Sequence, residues 1–472
     1  MPNIHVLIIL MGLLLGRDLG RANEGAAPGE PAQFLVACVW CLIIAVIALI
    51  ALPACARTVG TRGSRSMVGQ GLAFAQSLRW LLVAPFAAWS VWADAVGTVE
   101  VLIGSWVGLD EMLAVAPPIM ALLAISWAEY PLQDRVRQAM MMRQLDQGGL
   151  PERPPTRIEA TASALRAMLA MPLCPILLIV CWHEAIELAL RDVDAWIART
   201  IDTAGTIAIV LAAPAIIVRV LGTHAFDDGQ LAQRVRELGT AMGTRVRGIR
   251  LWTHASANAA LLGIVPLARY VLITERLVRG AARHELDAVL AHELAHARHF
   301  HVLWILLSVV AAVGVLSIAQ TLLVSVLSTG MQSFVLAESA SILFVGVTVL
   351  VWFGVVSRLI ERHADAHAAI VLGQEIAASQ GADPGVVHPA GPACMAAALD
   401  RVCALNGIDR DRWGFRHGSV AQRQRALAAL PGLSADRLPV DRHVRAVKLA
   451  TLLGLVSTVL FFALATSRGW FG

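Results

Sequence analysis

The chain has 472 residues, of which 57% are hydrophobic and only 15% charged, and its mean hydropathy is +0.67. That balance excludes an ordinary water-soluble globule and makes this a polytopic membrane protein. The net charge of +4 is spread through short arginine-bearing loops between apolar runs, not gathered on one basic face, which excludes nucleic acid as a partner.

Apolar runs of bilayer-crossing length fall at 33–55, 80–98, 112–129, 167–183, 204–221, 302–328, 334–356 and 446–466, which predicts about eight crossings. A shorter run, 4–16, has no basic residue before it of the kind a signal peptide carries, and Arg17 and Arg21 follow it. It is read as a ninth span, with an anchor or a signal sequence as the alternatives. Cys38, Cys41, Cys55, Cys174 and Cys181 sit in or beside these runs, and the odd total of seven cysteines gives no disulfide framework.

The stretch 57–79 carries Arg57, Arg62, Arg65 and Arg79 without an acid, and 130–166 carries Arg135, Arg137, Arg143, Arg153, Arg157 and Arg166. Both belong on the cytoplasmic side. Asp94, Glu100, Asp110 and Glu111 have no basic companion between those stretches, and 184–202 is mostly acidic, so these loops face the other way. His183, Glu184 and Glu187 read as an interface cluster on that far side. Residue 222 then returns to the cytoplasm, in keeping with Arg234, Arg236, Arg245, Arg247 and Arg250.

A water-exposed region starts here. Asp227 and Asp228 are placed to cap a helix in which Leu231, Val235, Leu238 and Met242 recur at helical spacing. RGIRLWTHASANAALLGIVPLARYVLITERLV alternates and is rich in β-branched residues, predicting two or three short strands. HELDAVLAHELAHARHF follows as a helix, and the Gly/Pro-rich stretch 373–393 reads as a loop.

The chemistry lies in HELAH. His292 and His296 are four residues apart, so on a helix both imidazoles leave one face and can share a tetrahedral ion. Glu293 stands beside them, placed to take a proton from a metal-activated water, the logic of the HExxH metalloprotease motif. A hydrolytic zinc site needs a third protein ligand and one open position, and the candidates are His299, His301, Glu361, His363, Asp365 and His367. On a continuous helix His299 would lie about 10.5 Å along the axis from His292, too far to share an ion.

Glu361 is the better third ligand, for a topological reason. Between 302 and 356 only Glu338 is charged, and the stretch is long enough for two crossings joined by a tight turn near 329–333. Such a hairpin returns the ERHAD segment, 361–365, to the side where HELAH was left. Asp365 is one helical turn from Glu361, so Glu361 can bind the ion while Asp365 accepts a hydrogen bond from a ligand imidazole. His363 and His367 are expected elsewhere on that helix, at the surface.

HELDAVLAHELAH, the apolar hairpin, ERHAD and the downstream HGSVAQR together resemble the membrane zinc endopeptidases of the gluzincin group, the group of the CAAX prenyl proteases and HtpX heat-shock proteases, over about 222–430. The resemblance implies a mainly α-helical polytopic membrane protein with a zincin-type metallopeptidase domain, a small β-element and one Zn2+ per chain. It further implies an oxyanion-stabilising role for His417 and a supporting one for Arg423, although Gly418 stands where the family has proline. NAALLG, Asn258 to Gly263, resembles the family's edge strand, which lines the cleft and can pair with substrate backbone; Asn258 also reads as an ordinary turn residue.

The expected organisation is a multi-span region (1–221), a metallopeptidase core (222–301), a transmembrane hairpin (302–357), the second half of the peptidase domain (358–445) and a last span (446–472). The expected activity is zinc-dependent hydrolysis of peptide or membrane-protein substrates at a bilayer, in a bacterial inner membrane with the site on the cytoplasmic side. The alternatives are a sensor-transducer metalloprotease of the antibiotic-response receptor type and a non-enzymatic metal-binding scaffold or transporter.

Overall fold

The structure, a computed structural model, describes residues 2–22, 31–62, 65–146, 154–226, 228–254, 256–327 and 331–468. Asp227, Arg153 and part of the turn expected at 329–333 lie outside the described residues. Among the described residues eight helices are long and apolar enough to cross a membrane, and the chain is an integral, multi-pass membrane protein. The run at 4–16 is not among the eight: its apolar helix, His5–Leu14, is shorter than a bilayer requires. Met1–Thr223 and His224–Gly472 form two separate units.

Among the described residues the first unit is built of helices: α1 (Pro2–Ala22), α2 (Pro31–Arg62), α3 (Arg65–Trp92), α4 (Ala95–Ile103), α5 (Leu109–Asp146), α6 (Arg157–Met168), α7 (Cys174–Ala189) and α8 (Ala195–Val220). Its core is apolar, with Leu52, Leu82, Phe86, Leu122, Ile125 and Leu132 buried together. Gly12 and Gly16, one turn apart on α1, let α3 come into backbone contact: a Cβ at Gly16 would lie 2.0 Å from the Ser90 carbonyl oxygen, the small-residue packing that apolar helices use where lipid offers no hydrophobic drive. Arg17 supplies the cation that the acidic loops lack locally, pairing with Glu100 at 3.5 Å and with Glu111 and Glu184. Glu184 also accepts the Gly108 N–H at 2.7 Å. It therefore does not join His183 and Glu187, which pair at 3.3 Å, while His183 also meets Asp202 at 3.1 Å.

The second unit runs β1 (His224–Ala225), α9 (Gly229–Ala241), β2 (Gly248–Trp252), β3 (Ala259–Leu262), β4 (Tyr270–Thr274), α10 (Glu275–Gly280), α11 (Arg283–Arg298), α12 (His301–Leu327), α13 (Met331–Gln380), α14 (Ala390–Asn406), α15 (Val420–Ala428) and α16 (Pro439–Ser467). Asp228 caps α9, accepting the N–H groups of Gln230 and Leu231. The strands order as β1-β2-β4-β3, with β2 and β4 parallel and β3 antiparallel on the edge. Leu238 of α9, Val271 and Ile273 of β4, and Leu290 and Leu294 of α11 fill the layer between sheet and helices. On the other side of α11, Ala288 and Ala291 pack with Ala368 and Ala369 of α13 and with Met395 and Ala398 of α14. Small residues there bring the two helices that carry HELAH and ERHAD close together.

Two expectations about helices are revised. The helix through His299 is not continuous: α11 ends at Arg298, α12 starts at His301, and Phe300 between them has φ of 53°. This left-handed residue, an arrangement costing about 1–2 kcal/mol outside glycine, redirects the chain from the helix packed on the sheet into an apolar span. The loop expected at 373–393 is shorter, because α13 continues through the helix-forming QEIAASQ to Gln380 and α14 begins at Ala390.

Candidate active site

Both sides of α11 are committed to packing, one on the sheet and one on α13 and α14, and the stripe left between them carries His292, Glu293 and His296. The α12–α13 hairpin brings Glu361 to the same place. His292 Nε2 lies 3.1 Å from His296 Nε2, and Glu361 oxygens lie 3.5 Å and 3.7 Å from these two nitrogens. One donor atom from each residue falls within 4.8 Å of the others.

The remaining imidazole nitrogens have outward partners. His292 Nδ1 is 2.9 Å from Asp365 Oδ1, and His296 Nδ1 faces His301 Nδ1 at 3.0 Å. With each Nδ1–H committed outward, the two Nε2 lone pairs and a carboxylate converge on one point, an arrangement that repels itself unless a cation sits among the three. Ligands at 2.0–2.1 Å from tetrahedral zinc stand about 3.3 Å apart, so this donor set fits zinc.

The charges agree. Burial disfavours protonation of His292, but the Asp365 and Glu361 carboxylates outweigh it and push its pKa up to about 10, so the point favours positive charge. Burial, helped by neighbouring His292, holds His296 down to about 3, keeping it a neutral donor. Burial raises the carboxyl pKa of Glu293, with His292 opposing, and Glu293 Oε2 accepts the Leu261 N–H of edge strand β3 at 2.8 Å. A carboxylate made more basic, beside the donor set, is suited to take a proton.

Asp365 is gripped by both arms of Arg423, Nε to Oδ2 at 2.7 Å and Nη2 to Oδ1 at 2.6 Å, and Arg423 Nη1 stands 3.4 Å from Glu361. His417 Nδ1 is 3.0 Å from Glu361 Oε1, on an imidazole that remains 42% exposed and so open to a ligand. Its loop is tied down by Arg358 of α13, which donates to the Phe415 carbonyl at 2.9 Å. Gly418 has φ of +71°, a region proline cannot enter, and its N–H donates to the Gly414 carbonyl at 2.8 Å. Glycine at 418 thus allows a turn closed to proline, and that turn sets His417 against Glu361.

Asn258 and Gly263 stand at the two ends of β3, not at the donor set. Asn258 is exposed and joins the sheet through its backbone, accepting from Thr274 N at 2.9 Å. Gly263 has φ of +99°, and a Cβ there would meet the Ala268 carbonyl oxygen at 2.3 Å, so the turn itself requires glycine.

His363 and His367 are not surface residues. His363 is 4% exposed and His301 fully buried, and His301 Nε2 meets His363 Nδ1 at 3.0 Å, extending the contact made by His296. His363 Nε2 and His367 Nε2 each lie 3.2 Å from Asp441 Oδ1 on α16. His299 packs on both rings, and burial, with the charge of His367, holds its pKa down to about 3. The sequence carried a signal for this second cluster in the spacings HFH and HADAH.

A helical bundle with a small sheet, and an HExxH helix facing a glutamate and, one turn further on a second helix, an aspartate that holds the first histidine, define a domain of the membrane metalloprotease class. Residues 226–384 match Peptidase family M48. The chain is 28% identical over 172 residues to the protease HtpX homolog of Aeropyrum pernix, a match covering 34% of this chain and 54% of that relative, so the chain spans about half the length of the curated relative it matches. It is also similar to the crystal structure of S. mikatae Ste24p, at 14% identity and a TM-score of 0.39, covering 82% of this chain and 99% of that one. His417 and Arg423 lie beyond the residues matched to the family.

Proposed function

We propose that this protein is an integral membrane zinc metalloendopeptidase acting on membrane-associated or membrane-emergent polypeptides. The observation that carries this reading is the convergence of His292, His296 and Glu361, from two helices far apart in sequence, on one point beside Glu293. His292, His296 and Glu361 hold one zinc ion, and Asp365 fixes the tautomer of His292. When bound, zinc supplies Lewis acidity and lowers the pKa of water towards about 7.

Glu293 takes the proton of the attacking water and delivers it to the leaving amine. His417, with Nδ1 on Glu361, offers its other ring nitrogen to the developing oxyanion. Arg423 keeps Asp365 and Glu361 ionised and in place. The substrate backbone lies along the outer edge of β3 between Asn258 and Gly263, where strand addition needs no particular side-chain sequence.

A site whose ligands sit at the end of α11, just before the apolar span α12, and on α13 meets chains as they leave lipid, which supports membrane-derived substrates. The arginine-rich segment that leads into β2 supports placing the site on the cytoplasmic face, as in a bacterial inner membrane.

The test is metal removal. Tag-free protein in detergent, stripped with a strong chelator, is expected to lose cleavage of casein and of a membrane-protein reporter, and to regain it on addition of one equivalent of zinc. Cleavage that persists after elemental analysis shows the zinc gone would overturn the reading.

A further inference from the structure

The second histidine cluster is the strongest feature that this chemistry leaves unused. One donor atom each from His299, His363 and His367 lie within 4.8 Å of one another. His363 and His367 are four residues apart on α13, the same face-sharing spacing as His292 and His296 on α11. Asp441, in the first turn of α16, puts one oxygen 3.2 Å from Nε2 of both. The three rings gather tilted or edge-on to one another, with centroids 4.2 Å, 4.4 Å and 4.5 Å apart.

We propose that His299, His363 and His367, with Asp441 as the fourth ligand, form a second site for a divalent transition metal of the zinc class, distinct from the His292–His296–Glu361 site. Three imidazoles and a carboxylate are the donor set of borderline ions such as zinc rather than of magnesium or calcium. The three imidazole donors already lie within 4.8 Å of one another, against about 3.3 Å between ligands of a tetrahedral zinc ion. With four protein ligands the site has no open position, so its role is regulatory or structural rather than hydrolytic.

The two sites communicate through His301. With zinc on His296 Nε2, the proton of His296 is on Nδ1 and is donated to His301 Nδ1; His301 Nε2–H then donates to His363 Nδ1, and His363 Nε2–H to Asp441. A metal on His363 Nε2 displaces that last proton to Nδ1 and reverses the donor direction, so that His301 Nδ1–H and His296 Nδ1–H confront each other across 3.0 Å. His296 then loses its orienting partner, a change worth 10–100-fold in metal affinity at comparable sites. Filling the second site therefore loosens the first. This coupling rests on the active-site assignment proposed above; the existence of the second site does not.

The experiment is zinc titration of tag-free, metal-stripped full-length protein, with zinc per chain counted by elemental analysis after gel filtration. Three forms are compared: wild type, H299Q/H367Q and H292Q/E361Q. The expected result is two ions in wild type and one in each double variant. The second equivalent is further expected to speed chelator extraction of the first by about 10-fold or more, and not to do so in H299Q/H367Q. One ion in wild type that survives in H299Q/H367Q and disappears in H292Q/E361Q overturns the second site and leaves the active site standing. Two ions in H299Q/H367Q also overturn it. One ion in wild type that is lost only in H299Q/H367Q supports the second site and removes the first. The wild-type count does not depend on how well either variant folds.

Discussion

Glu293→Gln is expected to lower the rate of peptide cleavage by roughly 10²–10⁴-fold, the usual contribution of a positioned general base, while zinc content stays at the wild-type level. The amide keeps the shape of the carboxylate and can still accept the Leu261 N–H that Glu293 Oε2 accepts at 2.8 Å, so the α11–β3 contact survives. What it loses is basicity, and the enclosed position that raises the carboxyl pKa of Glu293 is what makes this carboxylate a better base than an exposed one. The effect should fall on kcat with KM little changed, because Glu293 acts on the water and not on the substrate backbone. Equal cleavage by wild type and variant, with matched zinc, would mean that the observed proteolysis is a contaminant's.

The second large effect separates two carboxylates one helical turn apart. Glu361→Ala removes a proposed ligand and should abolish stoichiometric zinc binding at the His292–His296 site. Asp365→Ala should keep zinc with affinity weakened about 10–100-fold, since Asp365 acts through His292. The stability order should be the reverse. Asp365 is 1% exposed and holds Arg423 by two hydrogen bonds, so its removal strands a buried guanidinium, a loss of about 3–5 kcal/mol when one partner of a buried pair is deleted. Glu361 meets Arg423 with a single 3.4 Å contact, and its removal costs the fold less. Thermal unfolding in detergent together with zinc analysis measures both orders. A Glu361→Ala protein that keeps a full zinc complement in an H299Q/H367Q background removes Glu361 from the ligand set.

Much of this centre is legible from local signals. HELAH announces itself because helical spacing alone puts two imidazoles on one face, and Glu361 follows from one global rule, that an apolar hairpin returns to the side it leaves. Asp228, Leu231, Val235 and Leu238 are readable because a capped amphipathic helix has a fixed period. Other features depend on chain reversal at single residues or on packing between distant elements. The break at Phe300 is invisible because nothing in Ala-Arg-His-Phe-His favours a left-handed residue, and tertiary packing of α11 and α12 imposes it. Once the helix is broken, spacing arguments that place His299 by continuous periodicity fail, and the cluster of His299, His301, His363 and His367 appears only in three dimensions. His363 reads as a surface residue because polar side chains on a helix usually are; its partner, Asp441, lies 78 residues further along the chain.

The charges of the first unit teach the same point. Glu100, Glu111 and Glu184 look uncompensated within their own loops, because the balancing cation, Arg17, comes from the far end of a different helix. Sequence-local charge counts do not give pairing.

The most direct measurement is zinc K-edge absorption on the H299Q/H367Q protein carrying one zinc per chain. Two imidazole nitrogens and carboxylate oxygen at about 2.0–2.1 Å, with one imidazole missing in the added His296→Gln variant, are the predicted result. A shell of three or more imidazoles, or one unaffected by loss of His296, would place the ion elsewhere and contradict the account.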